Sequence, residues 1–255
     1  MSYDKVLADK SYANSIIEKC YEDEPSKFEE YDTTFEELKD LVNTSRFIDD
    51  NKIYEGKKCV VVASGGSVLE KELGHKIDNF DLVVRANLAQ FEGFEKHVGS
   101  RTDVRFMSHK AFGNTLKNTE FSAYDINYVP NSNSHLIIRS VGNIGSVIPG
   151  LALNKDGNNK FSILDLDCWD YMNEPLNSKD YGTVGYSAVI TMMLLGCEVS
   201  IYGFDFFDGS SKYHYYESVA PHVQTGGTNH PMGVEKQYLN YLIELGKIKK
   251  LVWQN

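Results

Sequence analysis

Residues 59–109 restrict this chain more than any other stretch. Cys59-Val60-Val61-Val62-Ala63 is apolar at every position, where a strand with one wet face would alternate. It therefore reads as a strand buried on both faces, the kind found inside a parallel sheet. Ser64-Gly65-Gly66-Ser67 ends it, and the spacing predicts a helix over Val68–His75, with Ser67 and Glu70 placed to form a capping box. A second apolar strand follows at Leu82–Arg85 and stops at the polar Asn87. A turn that leaves such a strand and opens a helix aims unpaired backbone N–H groups outward, which suits an anion such as a nucleotide phosphate. The turn has neither the G-x-G-x-x-G of dinucleotide folds nor the lysine of a P-loop.

The pattern repeats down the chain. Further strands are expected at Val104–Met107, Leu136–Arg139, Phe161–Leu166, Val199–Tyr202 and Lys250–Trp253, and helices at Lys110–Asn118, Tyr186–Leu195 and Gly233–Leu245. Buried strands alternating with helices specify an α/β fold, a mostly parallel, Rossmann-type sheet flanked by helices. Ligands in such sheets sit beyond the carboxyl ends of the strands, near the point where strand order reverses. Residues 1–55 read as an N-terminal helical extension and 56–255 as a single domain. In the extension Ser11–Tyr21 is periodic, and Thr33-Thr34-Phe35-Glu36-Glu37-Leu38 opens a second helix with a capping pattern.

Charge removes several function classes. The net charge is −10, and residues 1–50 carry 14 acids against 6 bases, which leaves the remainder near neutral. With no basic face to expect, nucleic acid and anionic membrane are poor partners. The acidic segment reads as a solvated helical face. No apolar run is long enough for a transmembrane segment and no signal sequence opens the chain, so either a cytoplasmic location or a chain trimmed of its membrane anchor is expected. Cys20, Cys59, Cys168 and Cys197 include no C-x-x-C pair, which argues against zinc or dithiol redox chemistry. Asp165-Leu166-Asp167 has the D-x-D spacing of many metal-dependent glycosyltransferases, but a structural role at a strand end is the preferred reading.

The 59–109 block also resembles the long sialyl motif of glycosyltransferase family 29, the eukaryotic-type sialyltransferases. The match runs through Cys59, Ser64, Gly66, Leu73-Gly74, Ile77-Asp78, Asp81, Val83, Arg85, Asn87, Ala89, Gly93-Phe94-Glu95 and Val98-Gly99-Ser100-Arg101-Thr102. Gly182-Thr183-Val184-Gly185-Tyr186-Ser187-Ala188, followed by Cys197-Glu198-Val199-Ser200-Ile201-Tyr202-Gly203-Phe204, is similar to the short motif. It departs in having Gly-Thr-Val-Gly for the usual Pro-Ser-Ser/Thr-Gly and a gap before the cysteine that is one residue longer. His214-Tyr215-Tyr216-Glu217 and His230-Pro231-Met232-Gly233-Val234-Glu235 are similar to the third and very short motifs, in family order.

The resemblance implies a GT-A-like variant of the α/β fold and an inverting transfer of a sialic acid, or a related keto sugar, from its CMP donor to a hydroxyl of a glycan or glycolipid acceptor. It implies no cofactor and no metal, since a CMP-sugar has a single phosphate. It implies CMP contacts at Ser64, Gly65, Gly66 and Asn87 and along Thr183, Gly185 and Ser187, with the choice between Thr183 and Ser187 open. His214, with Tyr215 beside it, would stabilise the departing CMP as imidazolium or N–H donor, and His230 at a helix N-cap would be the general base. Glu217 and Glu235 are supporting residues. Secreted relatives join the cysteines corresponding to Cys59 and Cys197 in a disulfide, whereas in a reducing compartment the two would remain apolar thiols. The rival readings are a CMP-Kdo-dependent Kdo transferase, a Rossmann-type oxidoreductase or methyltransferase, and an inactive binding module on the same fold.

Overall fold

The computed structural model describes residues 4–44, 46–113, 133–139, 147–206, 212, 214–216 and 230–251. Its centre is a seven-stranded sheet of β1 (Lys58–Val62), β2 (Leu82–Ala86), β3 (Val104–Ser108), β4 (His135–Arg139), β5 (Lys160–Ile163), β6 (Glu198–Tyr202) and β7 (Lys249–Lys250). Every pairing is parallel and the order is β5-β4-β3-β2-β1-β6-β7. The chain thus builds outward from β1 on one side and then crosses to its other side for β6. That reversal lies between β1 and β6, paired from Lys58↔Glu198 to Val62↔Tyr202.

The apolar runs bury as their patterns require. Cys59, Val60, Val61 and Val62 are all at 0% exposure. The strands expected from Cys59, Leu136 and Val199 each start one residue earlier, and Phe161–Leu166 shortens to β5 because Asp165 instead caps α8 (Leu166–Asn173), accepting from Asp167 N–H and Cys168 N–H at 3.0 and 3.2 Å. The D-x-D pair is therefore a helix start. Of the last expected strand only Lys249–Lys250 is strand, and residues 252–255 lie outside the described set.

The helix expected over Val68–His75 does not form. A 3₁₀ turn over Gly66–Glu70 and a short α4 (Gly74–Ile77) replace it. The reason is a long-range contact: Ser67, expected to cap with Glu70, gives both its N–H and its hydroxyl to the Asp205 carboxylate. The expected Lys110–Asn118 helix is α6 (His109–Gly113) as far as it is described. Also present are α5 (Glu95–Val98) and α7 (Val147–Asn154). Against one sheet face packs α9 (Val184–Leu194), which is buried nearly all round, and α10 (Met232–Glu244) lies beside it.

Residues before β1 form α1 (Lys10–Asp23), α2 (Ser26–Glu30) and α3 (Phe35–Asn43), the last opened by a complete Thr34/Glu37 capping box. Their inner faces are not solvated. Ile16, Ile17, Leu38, Leu41 and Val42 share one apolar cluster with Leu136, Ile138 and Phe161 of the sheet. Ala8 N–H and Ile48 N–H also bond to the carbonyls of Ile163 and Phe161, both at 2.8 Å, which closes the exposed edge of β5.

Candidate active site

At the reversal point the turn after β1 is stitched to the chain leaving β6. Ala63 N–H donates to Tyr202 O at 2.8 Å, Gly65 N–H to Gly203 O at 3.1 Å, and Gly66 N–H to Lys212 O at 3.0 Å. With Ser67 N–H on Asp205 at 2.9 Å, the N–H groups of residues 65–67 are all used within the protein. The glycines at 65 and 66 answer to that close approach. A Cβ at Gly65 would press on the Asp205 carboxylate and stand 2.7 Å from Gly203 O, and one at Gly66 would stand 2.5 Å from Lys212 N. The expectation that this turn offers its amides to a phosphate is therefore corrected.

What the turn offers is a side-chain pair. Ser64 Oγ lies 2.6 Å from His214 Nδ1, and Ser64 O accepts from Tyr215 N–H at 2.9 Å. Between them the hydroxyl and the neutral ring carry two protons, and the internal bond uses one. Burial pulls the His214 pKa down to about 4, so the ring is neutral near pH 7 and the N–H donor option displaces the imidazolium one. The ring stacks on Tyr216 with centroids 5.2 Å apart and planes 4° from parallel. Tyr215 faces the other way. It is 1% exposed, edge-on to Phe94, with its hydroxyl on Gln90 O, so it is a core residue and not a nucleotide contact.

Asn87 stands at the end of β2 with φ +48°, a left-handed conformation that asparagine tolerates better than most residues. Its N–H donates to Phe106 O, its carbonyl accepts from Arg105 at 2.6 Å, and its Oδ1 accepts from Ser108 N–H at 3.1 Å. These bonds leave the carboxamide NH₂ as the part of Asn87 that can meet a ligand.

The second half of the site is the N-terminus of α9. Thr183 is its N-cap, with Oγ1 accepting from Tyr186 N–H at 3.0 Å. Glu235, 2% exposed, grips the same residue twice: Oε1 accepts from Thr183 N–H at 2.7 Å and Oε2 from its hydroxyl at 2.8 Å. Burial raises the Glu235 pKa, against the pull of these two bonds. Among the described residues, the N–H groups of Val184 and Gly185 meet no protein acceptor. They point where a helix N-terminus favours negative charge. Gly185 lies against Phe204, just past β6, where a Cβ would come within 3.4 Å of the ring; the two halves of the site adjoin there. Ser187 turns inward, 1% exposed, its hydroxyl on Thr183 O at 2.9 Å. Of the two residues left open by the sequence, Thr183 is the one at the surface of the site.

His230 precedes α10, whose N-cap is Pro231 rather than the histidine. Its Nδ1 lies 2.7 Å from Tyr181 O. A carbonyl can only accept, so Nδ1 carries a proton, and in the neutral ring the lone pair is on Nε2. Glu217 lies outside the described residues. Sequence reasoning missed Arg139 and Asn173, which brace the loop before α9. The Asp205 carboxylate, just past β6, holds Ser67 of the turn after β1.

A profile described as glycosyltransferase family 29 (sialyltransferase) matches residues 6–247. The chain belongs to that family. Lactosylceramide alpha-2,3-sialyltransferase of Rattus norvegicus is 26% identical over 255 residues, covering 90% of this chain and 65% of that enzyme. The CMP-N-acetylneuraminate-beta-1,4-galactoside alpha-2,3-sialyltransferase of Homo sapiens is 26% identical over 215 residues, 76% of this chain and 57% of that protein. The chain thus spans somewhat under two thirds of these relatives' length. A crystal structure of a mammalian sialyltransferase with Gal-beta-1-3GalNAc-ortho-nitrophenol shares the fold, with a TM-score of 0.61 at 19% identity over 98% of this chain and 91% of that one.

Membership in the sialyltransferase family displaces the oxidoreductase and methyltransferase readings. No helix among the described residues is long and apolar enough to cross a membrane. The relatives named here lend no support to a cytoplasmic location. Cys59 and Cys197 are buried thiols at the feet of β1 and β6, with Cys197 Sγ donating to Tyr54 O at 3.2 Å.

Proposed function

We propose that this chain moves sialic acid from CMP-sialic acid to a hydroxyl of a glycan or glycolipid acceptor, with inversion at the anomeric carbon and without a metal ion. The observation that carries the reading is the orientation of His230. Its Nδ1–H is fixed on Tyr181 O, which leaves Nε2 of the neutral ring as a proton acceptor beside the loop that leads into α9. The acceptor O–H gives its proton to Nε2 as its oxygen bonds the anomeric carbon, and the bond from that carbon to the phosphate oxygen breaks with its electron pair going to CMP. Attack opposite the leaving group inverts the centre.

The donor half draws on the polar groups gathered at the two strand-to-helix turns. The Ser64–His214 pair supplies one proton to the departing phosphate, the Val184 and Gly185 amides face negative charge, and the Asn87 carboxamide serves the nucleoside. Fixed donors of this kind do for a monophosphate what a cation does for a diphosphate. The relatives' names, lactosylceramide and β-1,4-galactoside sialyltransferases, favour a galactose-terminated acceptor and give the CMP-Kdo alternative no support.

The test is CMP release from CMP-sialic acid and, separately, from CMP-Kdo, with a lactoside acceptor and with EDTA added or omitted. Acceptor-dependent release from CMP-sialic acid, unaffected by EDTA, is expected. Turnover with CMP-Kdo alone would reverse the donor assignment, and manganese-restored activity would overturn metal independence.

A further inference from the structure

The tripeptide Tyr181-Gly182-Thr183 is held at every residue, and the holds come from three elements, α8, β4 and α10. The Tyr181 ring lies on Trp169 of α8 with centroids 5.5 Å apart. Gly182 N–H donates to Asn173 Oδ1 at 2.8 Å, at the end of α8. Gly182 O accepts from Arg139 at 2.7 Å, and Thr183 is gripped by Glu235 of α10. Arg139 ends β4, buried at 8% exposure, and one guanidinium nitrogen serves both Gly182 O and, at 3.4 Å, Ser187 Oγ inside α9. Its guanidinium carbon sits 4.4 Å from the centre of the Trp169 indole, the same ring that carries Tyr181.

The carbonyl of the first residue, Tyr181 O, is on His230 Nδ1 at 2.7 Å. The geometry points to Arg139 as a positioning residue for the catalytic base: through Gly182 O and the Trp169 indole it fixes the Tyr181 carbonyl, and that carbonyl fixes the ring tautomer of His230. This rests on the reading of His230 as general base. A free histidine in water favours the proton on Nε2, the form that cannot accept the acceptor's proton there, so the base works only while the carbonyl is in place. Arginine suits the post because a planar fork can bond a carbonyl while lying flat on an indole, and lysine cannot do both.

The test reads the tautomer directly, by ¹⁵N NMR of histidine-labelled protein, with the His230→Ala spectrum assigning the resonance. In the wild type, His230 is expected as the Nδ1–H form. In Arg139→Lys, which keeps the charge beside Glu235, the Nε2–H form is expected to gain, kcat to fall by roughly 10-fold or more, and CMP affinity to stay within about 2-fold. In Arg139→Met the shift is expected to be larger. Should Arg139→Met fail to fold, the lysine variant decides. An unchanged Nδ1–H tautomer in a folded Arg139 variant overturns the inference, whatever its activity. A shifted tautomer with undiminished transfer overturns instead the assignment of His230 as base.

Discussion

Ser64 Oγ and His214 Nδ1 lie 2.6 Å apart although 150 residues of chain separate them. Neither residue is a donor of fixed direction alone, but bonded to each other at the end of β1 they form one unit. His214→Ala is expected to lower kcat by roughly 100-fold, the range for losing one such donor at a leaving group. Ser64→Ala removes the partner of the same unit, so the double variant should be little worse than the worse single one. Fully multiplicative losses in steady-state kinetics would show that the two act separately.

His230→Ala is expected to bring transfer close to zero while leaving CMP affinity within a few-fold of wild type, because His230 touches Tyr181 and not the donor turn. Equilibrium binding of CMP beside initial-rate assays separates the two effects. Retained transfer with an unchanged pH profile would sink the assignment.

Glu235→Ala leaves the Thr183 N–H and hydroxyl without their acceptor and removes the carboxylate that offsets the buried Arg139 charge. A loss of about 3 kcal/mol is expected in urea denaturation, from unsatisfied buried donors and an unbalanced buried charge together. Glu235→Gln, which keeps one oxygen on Thr183 N–H, should cost less than half of that. Equal stability of the alanine variant and wild type would mean the clamp is idle.

His135 gives the fold an acid sensitivity. Its ring is buried between Tyr54, whose hydroxyl meets Nδ1, and Ser162, 2.7 Å from Nε2. Burial, with a smaller push from Lys160, pulls its pKa down to about 3. The unfolded chain takes up this proton near pH 6.5 and the folded chain does not. Stability is therefore full above that pH and falls as pH drops toward 3, by up to about 1.4 kcal/mol per pH unit from this residue. In denaturation curves between pH 7 and 4.5, His135→Asn should start less stable and decline less steeply. Parallel declines would place the acid sensitivity elsewhere.

The sheet was readable because its strands are apolar at consecutive positions, and that signal needs no tertiary information. The helices that escaped notice are the ones whose signals conflict. Val147–Asn154 has Pro149 and Gly150 in its first turns, which reads as a break, yet proline is harmless there and Asn154 ties back to Gly150 O. The failed helix after Ser67 looked sound locally and lost to one long-range carboxylate, Asp205. Within the site, His214, His230 and Glu235 were visible as polar residues in ordered motifs. Tyr215 and Ser187 were visible too, but which way a side chain turns depends on what packs behind it. Arg139 was the hardest to find, since its partners lie 30 to 100 positions downstream and are mostly backbone or ring faces.

The strand order has a consequence for how the enzyme comes into being. The sheet grows from β1 toward β5 as the chain is made, yet the crevice is walled by β1, β6 and the segment after it. With synthesis at about 5–20 residues per second, the 150 residues between Ser64 and His214 take roughly 8–30 s to emerge. Throughout that interval β1 has one flank unpaired and apolar. A nascent chain therefore carries an unpaired β1 edge until β6 arrives, and chaperone capture in that window would guard against aggregation.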